Sequence, residues 1–140
     1  MTVRDLVSAD LRLLGTAKAS KNAATTTNFD FGTPDDLNLA ALTNYKHGDK
    51  ILVVFTATTA GTTDSISFGV LDAPDSAGSI GATAAAATDG SLSGGTADAV
   101  VHTFVQLKAG RPWLRCTLTG TGTTDTFTCT AAVYAVGSQV

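Results

Sequence analysis

The sequence predicts an all-β fold, a two-sheet antiparallel β-sandwich, and three observations lead to that prediction. All twelve acidic residues are Asp, whereas the exposed faces of helices normally use Glu as well. About two dozen threonines suit half-buried strands, and the Asp residues together with 14 Gly suit turns. Apolar and polar residues also alternate along about eight short segments, which is the period of a strand with one buried face.

The strands follow from this alternation and from the turn residues between the segments. They are predicted, in chain order, at 16–20, 25–31, 50–58, 65–71, 79–87, 99–107, 113–119 and 126–136. Residues 33–49 have room for one short helix after Pro34, and 88–98 is a loop by composition. Residues 1–15 are predicted to form an N-terminal arm, and 16–140 a single sandwich domain. Eight short strands of this kind fit a jelly roll, with an immunoglobulin-like topology as the competitor.

Charge and hydropathy exclude several classes of function. The net charge is −3, the isoelectric point is near 5.0, and the nine Lys and Arg are scattered, so no nucleic-acid partner is expected. No apolar stretch is long enough to span a membrane, and charged residues interrupt the N-terminal segment where a signal peptide would be apolar. A cytosolic origin fits best, and thiols there normally stay reduced.

An internal repeat is visible at an offset of 61 residues. The segment TTAGTTDSISF (58–68) resembles TGTGTTDTFTC (119–129), and both contain Gly-Thr-Thr-Asp. Each copy is predicted to be the tip of a β-hairpin. In that register Cys116 faces Cys129 on the inward side, as Phe55 faces Phe68 in the first hairpin.

The two cysteines, Cys116 and Cys129, are therefore predicted to be a core pair. Free Cys packs as a small hydrophobe, which favours reduced thiols, although directly opposed strands would also permit a disulfide. Two cysteines with no Cys/His motif nearby are too few for a zinc site. No metal and no cofactor are expected.

No arrangement of catalytic residues stands out, so the chain is not expected to be an enzyme. The two histidines, His47 and His102, lie outside any ligand motif, and no Ser lies in a nucleophile-elbow motif. Trp113, Arg115 and Tyr134 would share the outward face of the second hairpin, and an Arg with two aromatics is typical of interface hot spots. They are candidate interface residues, with ordinary packing as the alternative.

The order of these features resembles the jelly-roll capsid cement, or head decoration, proteins related to that of Bordetella phage BPP-1. The matching stretches begin with an N-terminal arm that carries SADLRLLGTAKAS, followed by TTTNFDFG (25–32) and by GDKILVVFTAT before the first Gly/Thr segment. ISFGVLDAPDSAGS (66–79) and VQLKAGRPWLRCTLTGTGTT before the final FTCTAAVYAV complete the pattern. The resemblance covers residues 8–136; the long 33–49 segment and the Cys pair depart from it.

The resemblance implies a structural virion protein, made in the host bacterial cytoplasm, that binds the outer surface of the expanded phage head. It would form a homo-oligomer, a dimer or a trimer, and hold major capsid subunits together. Many weak contacts would become strong through multivalency. The candidate contact surfaces are the arm, 33–49 and the loop tips 58–64 and 119–125; the tips include Thr62, Thr63, Thr123 and Thr124.

The alternative function is that of a carbohydrate-binding or adhesin module of a phage fibre or a surface protein. Such modules usually present a platform of exposed aromatic rings or a calcium site. The sequence offers Trp113, Tyr45 and Tyr134 for a platform, and no calcium-binding loop is visible.

Overall fold

Antiparallel strands dominate the computed structural model, which describes residues 11–32, 35–42, 50–86, 88 and 92–136. Within those residues the elements are β1 (Leu11–Lys21), β2 (Thr26–Asn28), β3 (Leu37–Asn38), α1 (Leu39–Leu42), β4 (Lys50–Thr59), β5 (Ile66–Ala73), β6 (Asp75–Ser76), β7 (Ser79–Ile80), β8 (Ala84–Ala85), β9 (Ser93–Gly95), β10 (Ala99–Gln106), β11 (Trp113–Gly120) and β12 (Phe127–Val136).

The strands form two facing sheets and one small ribbon. The front sheet has the order β1-β12-β4-β10. In the back sheet, β2 and β3 pair with one edge of β11, β5 pairs with the other edge, and β8 and β9 pair with the far edge of β5. β6 and β7 form the ribbon. The two sheets thus have eight strand positions in the order of a jelly roll, which confirms the predicted sandwich.

The core lies between the sheets and is built by strict alternation. Along β4, every second residue from Ile51 to Ala57 is buried, and β12 shows the same period. Three phenylalanine rings fill the centre of the core. Phe55 of β4 stacks on Phe68 of β5 with ring centroids 4.5 Å apart, and Phe29 contacts both rings at 5.5 and 6.3 Å.

The two predicted hairpins are wrong. β4 pairs with β10 and β12, and β5 pairs with β11, so neither Gly/Thr segment connects two paired strands. Each segment instead carries the chain from one sheet to the other. Cys116 consequently lies beside Val70 in the back sheet, and Cys129 lies beside Ala57 in the front sheet. The predicted inward faces are correct, because alternation identifies a strand's buried face but not its partner.

The internal repeat is a pseudo-twofold relation between two strand pairs. Adding 61 to the residues of β4 and β5 gives the residues of β11 and β12, so the relation exchanges the two sheets. Phe55 pairs with Ala131, and the equivalent positions Cys116 and Val70 also pair. The pair β4–β12 and the pair β11–β5 therefore have the same register. The sequence repeat reflects this symmetry.

The remaining predicted segments agree with the structure in part. Residues 1–10 of the predicted arm lie outside the described residues, whereas 11–15 already belong to β1 and pair with β12 around a bulge. The short helix expected in 33–49 is α1. Within the predicted loop 88–98, residues 93–95 form β9. No helix in the described part of the chain is long and apolar enough to cross a bilayer.

Candidate functional site: the paired Gly-Thr-Thr-Asp loops

The two copies of Gly-Thr-Thr-Asp meet at one end of the sandwich and hold each other by reciprocal hydrogen bonds. We call residues 61–64 and 122–125 together the double loop. Asp64 Oδ2 accepts hydrogen bonds from the backbone N–H groups of Thr124 and Asp125 at 2.8 and 2.9 Å. Asp125 Oδ2 accepts from the N–H groups of Asp64, at 2.7 Å, and of Thr63. Each carboxylate therefore caps the loop that carries the other.

The glycines of the motif make room for these carboxylates. A Cβ atom on Gly61 would lie 1.8 Å from Asp125 Oδ1, and one on Gly122 would lie 2.1 Å from Asp64 Oδ1. Gly122 also has a φ of +67°, which L-residues with a side chain rarely adopt. The spacing of Gly and Asp in the motif is explained by this mutual packing.

Lys21, at the end of β1, closes the double loop from inside the sandwich. Its side chain is buried, and its Nζ donates to Asp64 Oδ2 at 2.6 Å and to the Asp125 carbonyl oxygen at 2.9 Å. The ammonium also lies 5.7 Å from the centre of the Phe127 ring. The buried cation thus has a carboxylate, a carbonyl and an aromatic face as partners, which offsets its loss of hydration.

The Asp64 carboxylate is held in its ionised form. The hydrogen bond from Lys21, followed by those from the backbone of Asp125 and Thr124, lowers the pKa of Asp64 despite the opposing effect of burial. A carboxyl group with a lowered pKa in the folded state stabilises the fold at pH values above its unfolded pKa of about 3.9. That stabilisation is lost as the pH falls through the lowered folded-state pKa.

We therefore expect the free energy of unfolding to be flat from neutral pH to about pH 5 and to decline below about pH 4. Asp64→Asn, which cannot ionise, should be less stable at neutral pH and should show a shallower decline. Denaturant unfolding at a series of pH values measures both. Parallel pH profiles for the variant and the parent chain would show that the double loop contributes nothing to acid sensitivity.

The reciprocal hydrogen bonds of the double loop join backbone N–H groups to the two carboxylates and do not use the side chains of its four threonines. Thr62, Thr63, Thr123 and Thr124 are all exposed, as the sequence predicted for candidate contact residues. Asp64 and Asp125 hold the backbone that carries these side chains, so the positions from which they project are fixed. Their role in an interface stays a prediction.

The second predicted interface cluster does not form. Trp113 is only 3% exposed, and its indole N–H donates to Asp75 Oδ1 at 2.9 Å. Arg115, half-buried in the back sheet, makes a two-pronged ion pair with Asp36 at 2.7 and 2.9 Å. Tyr134 lies in the front sheet between Leu13 and Leu52. The cluster required the β11–β12 hairpin, which does not exist.

Both cysteines are free and fully buried, but they lie in different sheets and are not the opposed pair that the sequence predicted. Burial raises the pKa of Cys129 to about 11 and raises the pKa of Cys116 further above its usual range. Neither thiol is accessible or ionised near neutral pH.

We expect neither cysteine to react with a thiol reagent in the native protein at about pH 8, while the denatured, unreduced protein shows two thiols. Thr62→Cys, which adds an exposed thiol to the double loop, should react at once and serves as the positive control. Fewer than two reactive thiols after denaturation would reveal a disulfide and contradict the reduced state of the two cysteines.

The described residues contain no group of three His, Cys, Asp or Glu side chains arranged to hold a metal ion. His102 is exposed on β10, with its ring 6.4 Å from that of Phe104, and His47 lies outside the described residues. A cleft of about 530 Å3 lies between β1 and β12 on the front sheet. Lys18 and Asp30 are the ionisable residues that line it, among small and threonine side chains.

The Phe, Tyr and Trp rings that the structure describes are buried or half-buried. Phe29, Phe55, Phe68, Phe127 and Trp113 are buried, and Phe31, Phe104 and Tyr134 are half-buried. Tyr45 lies outside the described residues. The described surface therefore offers no fully exposed ring on which a sugar could stack.

Comparisons with known proteins bear on the fold. No protein-family model matches the chain, and no curated protein matches it in sequence. A CBM22-1 xylan-binding domain from Paenibacillus barcinonensis is similar in structure, with a TM-score of 0.52 and 8% identity over 91% of this chain and 96% of that domain. A xylanase fragment with CBM22-1 and GH10 modules from Clostridium thermocellum gives a TM-score of 0.47 and 9% identity over 94% of this chain and 28% of that one.

A viral protein is also among the similar structures. The infectious bursal disease virus Gx strain structure gives a TM-score of 0.42 and 10% identity over 89% of this chain and 31% of that one. At these identities the likeness concerns the fold alone. The chain shares a β-sandwich fold with the CBM22-1 domain, and a shared sandwich does not identify a function.

Proposed function

We propose that the chain is a structural virion protein, a capsid cement or decoration protein that binds the outer surface of the mature phage head. Its partner would be the major capsid protein, and it would stabilise contacts between neighbouring subunits. The observation that carries the proposal is the order of sequence features over residues 8–136, which resembles that of jelly-roll cement proteins. The two sheets have the strand order of a jelly roll.

The double loop supports the proposal physically. A protein that binds a rigid shell loses less conformational entropy if its contact surface is already ordered. Reciprocal bonds from Asp64 and Asp125 fix the backbone that carries the four exposed threonines. Hydroxyl groups on such a tip can donate to and accept from a protein surface, and copies bound around the head would act together. The proposal assigns the chain no catalytic activity.

Co-sedimentation with phage heads tests the function. Heads that lack this protein are prepared from the cognate phage in the expanded and the unexpanded form, and the purified chain is titrated onto each. We expect saturable binding to expanded heads only, with increased resistance of the loaded heads to heat. A folded chain that binds neither form would overturn the proposal.

Carbohydrate binding is the second candidate, favoured by the structural likeness to a xylan-binding domain. The burial of the described aromatic rings counts against it, because sugar rings are usually bound by stacking on exposed aromatics. A glycan array discriminates between the two functions. Specific binding to one sugar class, with no binding to heads, would establish the second candidate.

A further inference from the structure

The outer face of the front sheet carries three rows of side chains that cross all four strands. The first row is Leu13, Tyr134, Leu52 and Phe104; the second is Thr16, Ala132, Val54 and His102; the third is Lys18, Thr130, Thr56 and Val100. Along β4 and β12 their neighbours point into the core, so these side chains face outward, and their partners in the two edge strands are exposed or half-buried. Seven of the twelve are apolar or aromatic.

This face is also where the described chain exposes its large apolar side chains. Leu13 is 54% exposed and Val100 is 72% exposed, and no other large hydrophobic side chain in the described ranges is as open to solvent. They lie on the two edge strands, β1 and β10. The outer side of the back sheet is different: Arg115 is paired with Asp36, and Trp113 is covered and bonded to Asp75.

The most exposed of these side chains lies opposite a cleft in the same row. Val100 occupies the β10 end of the third row, and the cleft of about 530 Å3 lies at the β1 end, lined by Thr16, Lys18, Thr130 and Ala132 among others. A protruding side chain and a recess on opposite edges of one face are complementary if that face meets a copy of itself.

We propose that two copies of this chain associate through the outer faces of their front sheets. The twofold axis runs parallel to the strands, along the midline between β12 and β4. Each Val100 then enters the cleft of the other copy, and Leu13 meets the partner's Phe104. Two sheets packed in this way form a four-layered dimer with the usual face-to-face geometry of sandwiches.

Charge and area agree with this arrangement. Lys18 faces the partner's Val100 and can lay its aliphatic stem along that side chain, so no lysine meets a lysine in the three rows. A twofold axis across the strands would instead place each edge strand over the same strand of the other copy. Val100 and the partner's cleft would then lie on opposite edges of the interface. Over their full lengths of 8–11 residues, the four strands give a face of about 600 Å2 per copy, near the lower limit for specific interfaces.

Sedimentation velocity of the full chain tests the interface. We expect a concentration-dependent dimer for the parent chain and a monomer for Val100→Asp and for Leu13→Asp, at least a tenfold rise in the dissociation constant (about 1.4 kcal/mol). Ser67→Asp adds the same charge to the exposed outer side of the back sheet and should leave the dimer intact. A monomeric parent chain, or dimers unaffected by both variants, would overturn the proposal.

Cysteine cross-linking tests the direction of the axis without weakening the interface. The double variant Lys18→Cys, Val100→Cys should form disulfide-linked dimers under mild oxidation, because the two positions face each other across the proposed axis. Val100→Cys alone should not. The native cysteines are buried and do not interfere. Cross-linking of Val100→Cys alone would show that each Val100 meets the Val100 of the other copy, which the proposed axis does not allow, and would contradict the arrangement.

The dimer is measured on purified protein, so its outcome is separate from that of head binding. A dimer that does not bind heads would leave this interface standing and overturn only the proposed function. A monomer that binds heads would overturn this interface and leave the proposed function standing.

Discussion

Gly122→Ala should destabilise the chain more than Gly110→Ala, although both glycines have a left-handed backbone. The φ values are +67° and +71°, so each substitution has a similar conformational cost, about 1–2 kcal/mol. At Gly110 a new Cβ meets nothing within 4 Å. At Gly122 it would lie 2.1 Å from Asp64 Oδ1, so the carboxylate would have to leave the hydrogen bonds that close the double loop.

Crowding of a packed site typically costs a further 1–3 kcal/mol or so, which is the expected difference between the two variants. Denaturant unfolding of both variants and the parent chain measures it. The difference between the two losses of unfolding free energy reports the packing of Asp64, because the backbone strain is the same in both variants. Equal losses of stability at the two positions would mean that the double loop opens at little cost.

Phe55→Ala should be among the most destabilising truncations of the core. The ring is fully buried, stacks on Phe68 at 4.5 Å and lies 5.5 Å from Phe29, so its removal leaves a cavity at the point where the two sheets meet. Such truncations cost about 3–5 kcal/mol, a large part of the 5–15 kcal/mol or so that stabilises a domain.

Equilibrium unfolding measures this loss, and two further variants make the result interpretable. Phe55→Leu should lose less stability, and it provides a folded reference if Phe55→Ala is largely unfolded. Phe104→Ala removes a half-buried ring from the outer face of the front sheet and should cost much less. A similar loss for Phe55 and Phe104 would contradict the position of the core.

The sequence is sufficient to predict the long strands, their buried faces and the sandwich, but not short strands such as β3 and β9. These features depend on alternation with period two, which is local and therefore visible in the sequence. The pairing of strands is not local. The Gly-Thr-Thr-Asp segments have the composition of hairpin turns, yet they cross between sheets because each is completed by the other copy 61 residues away.

The candidate site is predictable only in outline. Residue type alone assigns Asp64 and Asp125 to ordinary turns, although the repeat of Gly and Asp at the same spacing in both copies is a signal of a shared structural role. Lys21 carries no such signal, since its partner Asp64 is 43 residues away. The partners of Arg115 and Trp113 are likewise invisible in the sequence, because their pairing with two distant aspartates depends on the tertiary fold.

We propose that the double loop is the surface that meets the phage head. The most direct test is the binding isotherm of Thr63→Arg, Thr124→Arg on expanded heads, compared with Ser67→Arg on the back sheet. The hydrogen bonds behind the tip use the backbone N–H groups of Thr63 and Thr124, so they survive the change of side chain. We predict at least a tenfold loss of affinity, about 1.4 kcal/mol, for the tip variant and parental binding for the control. Parental affinity in the tip variant would show that another surface docks.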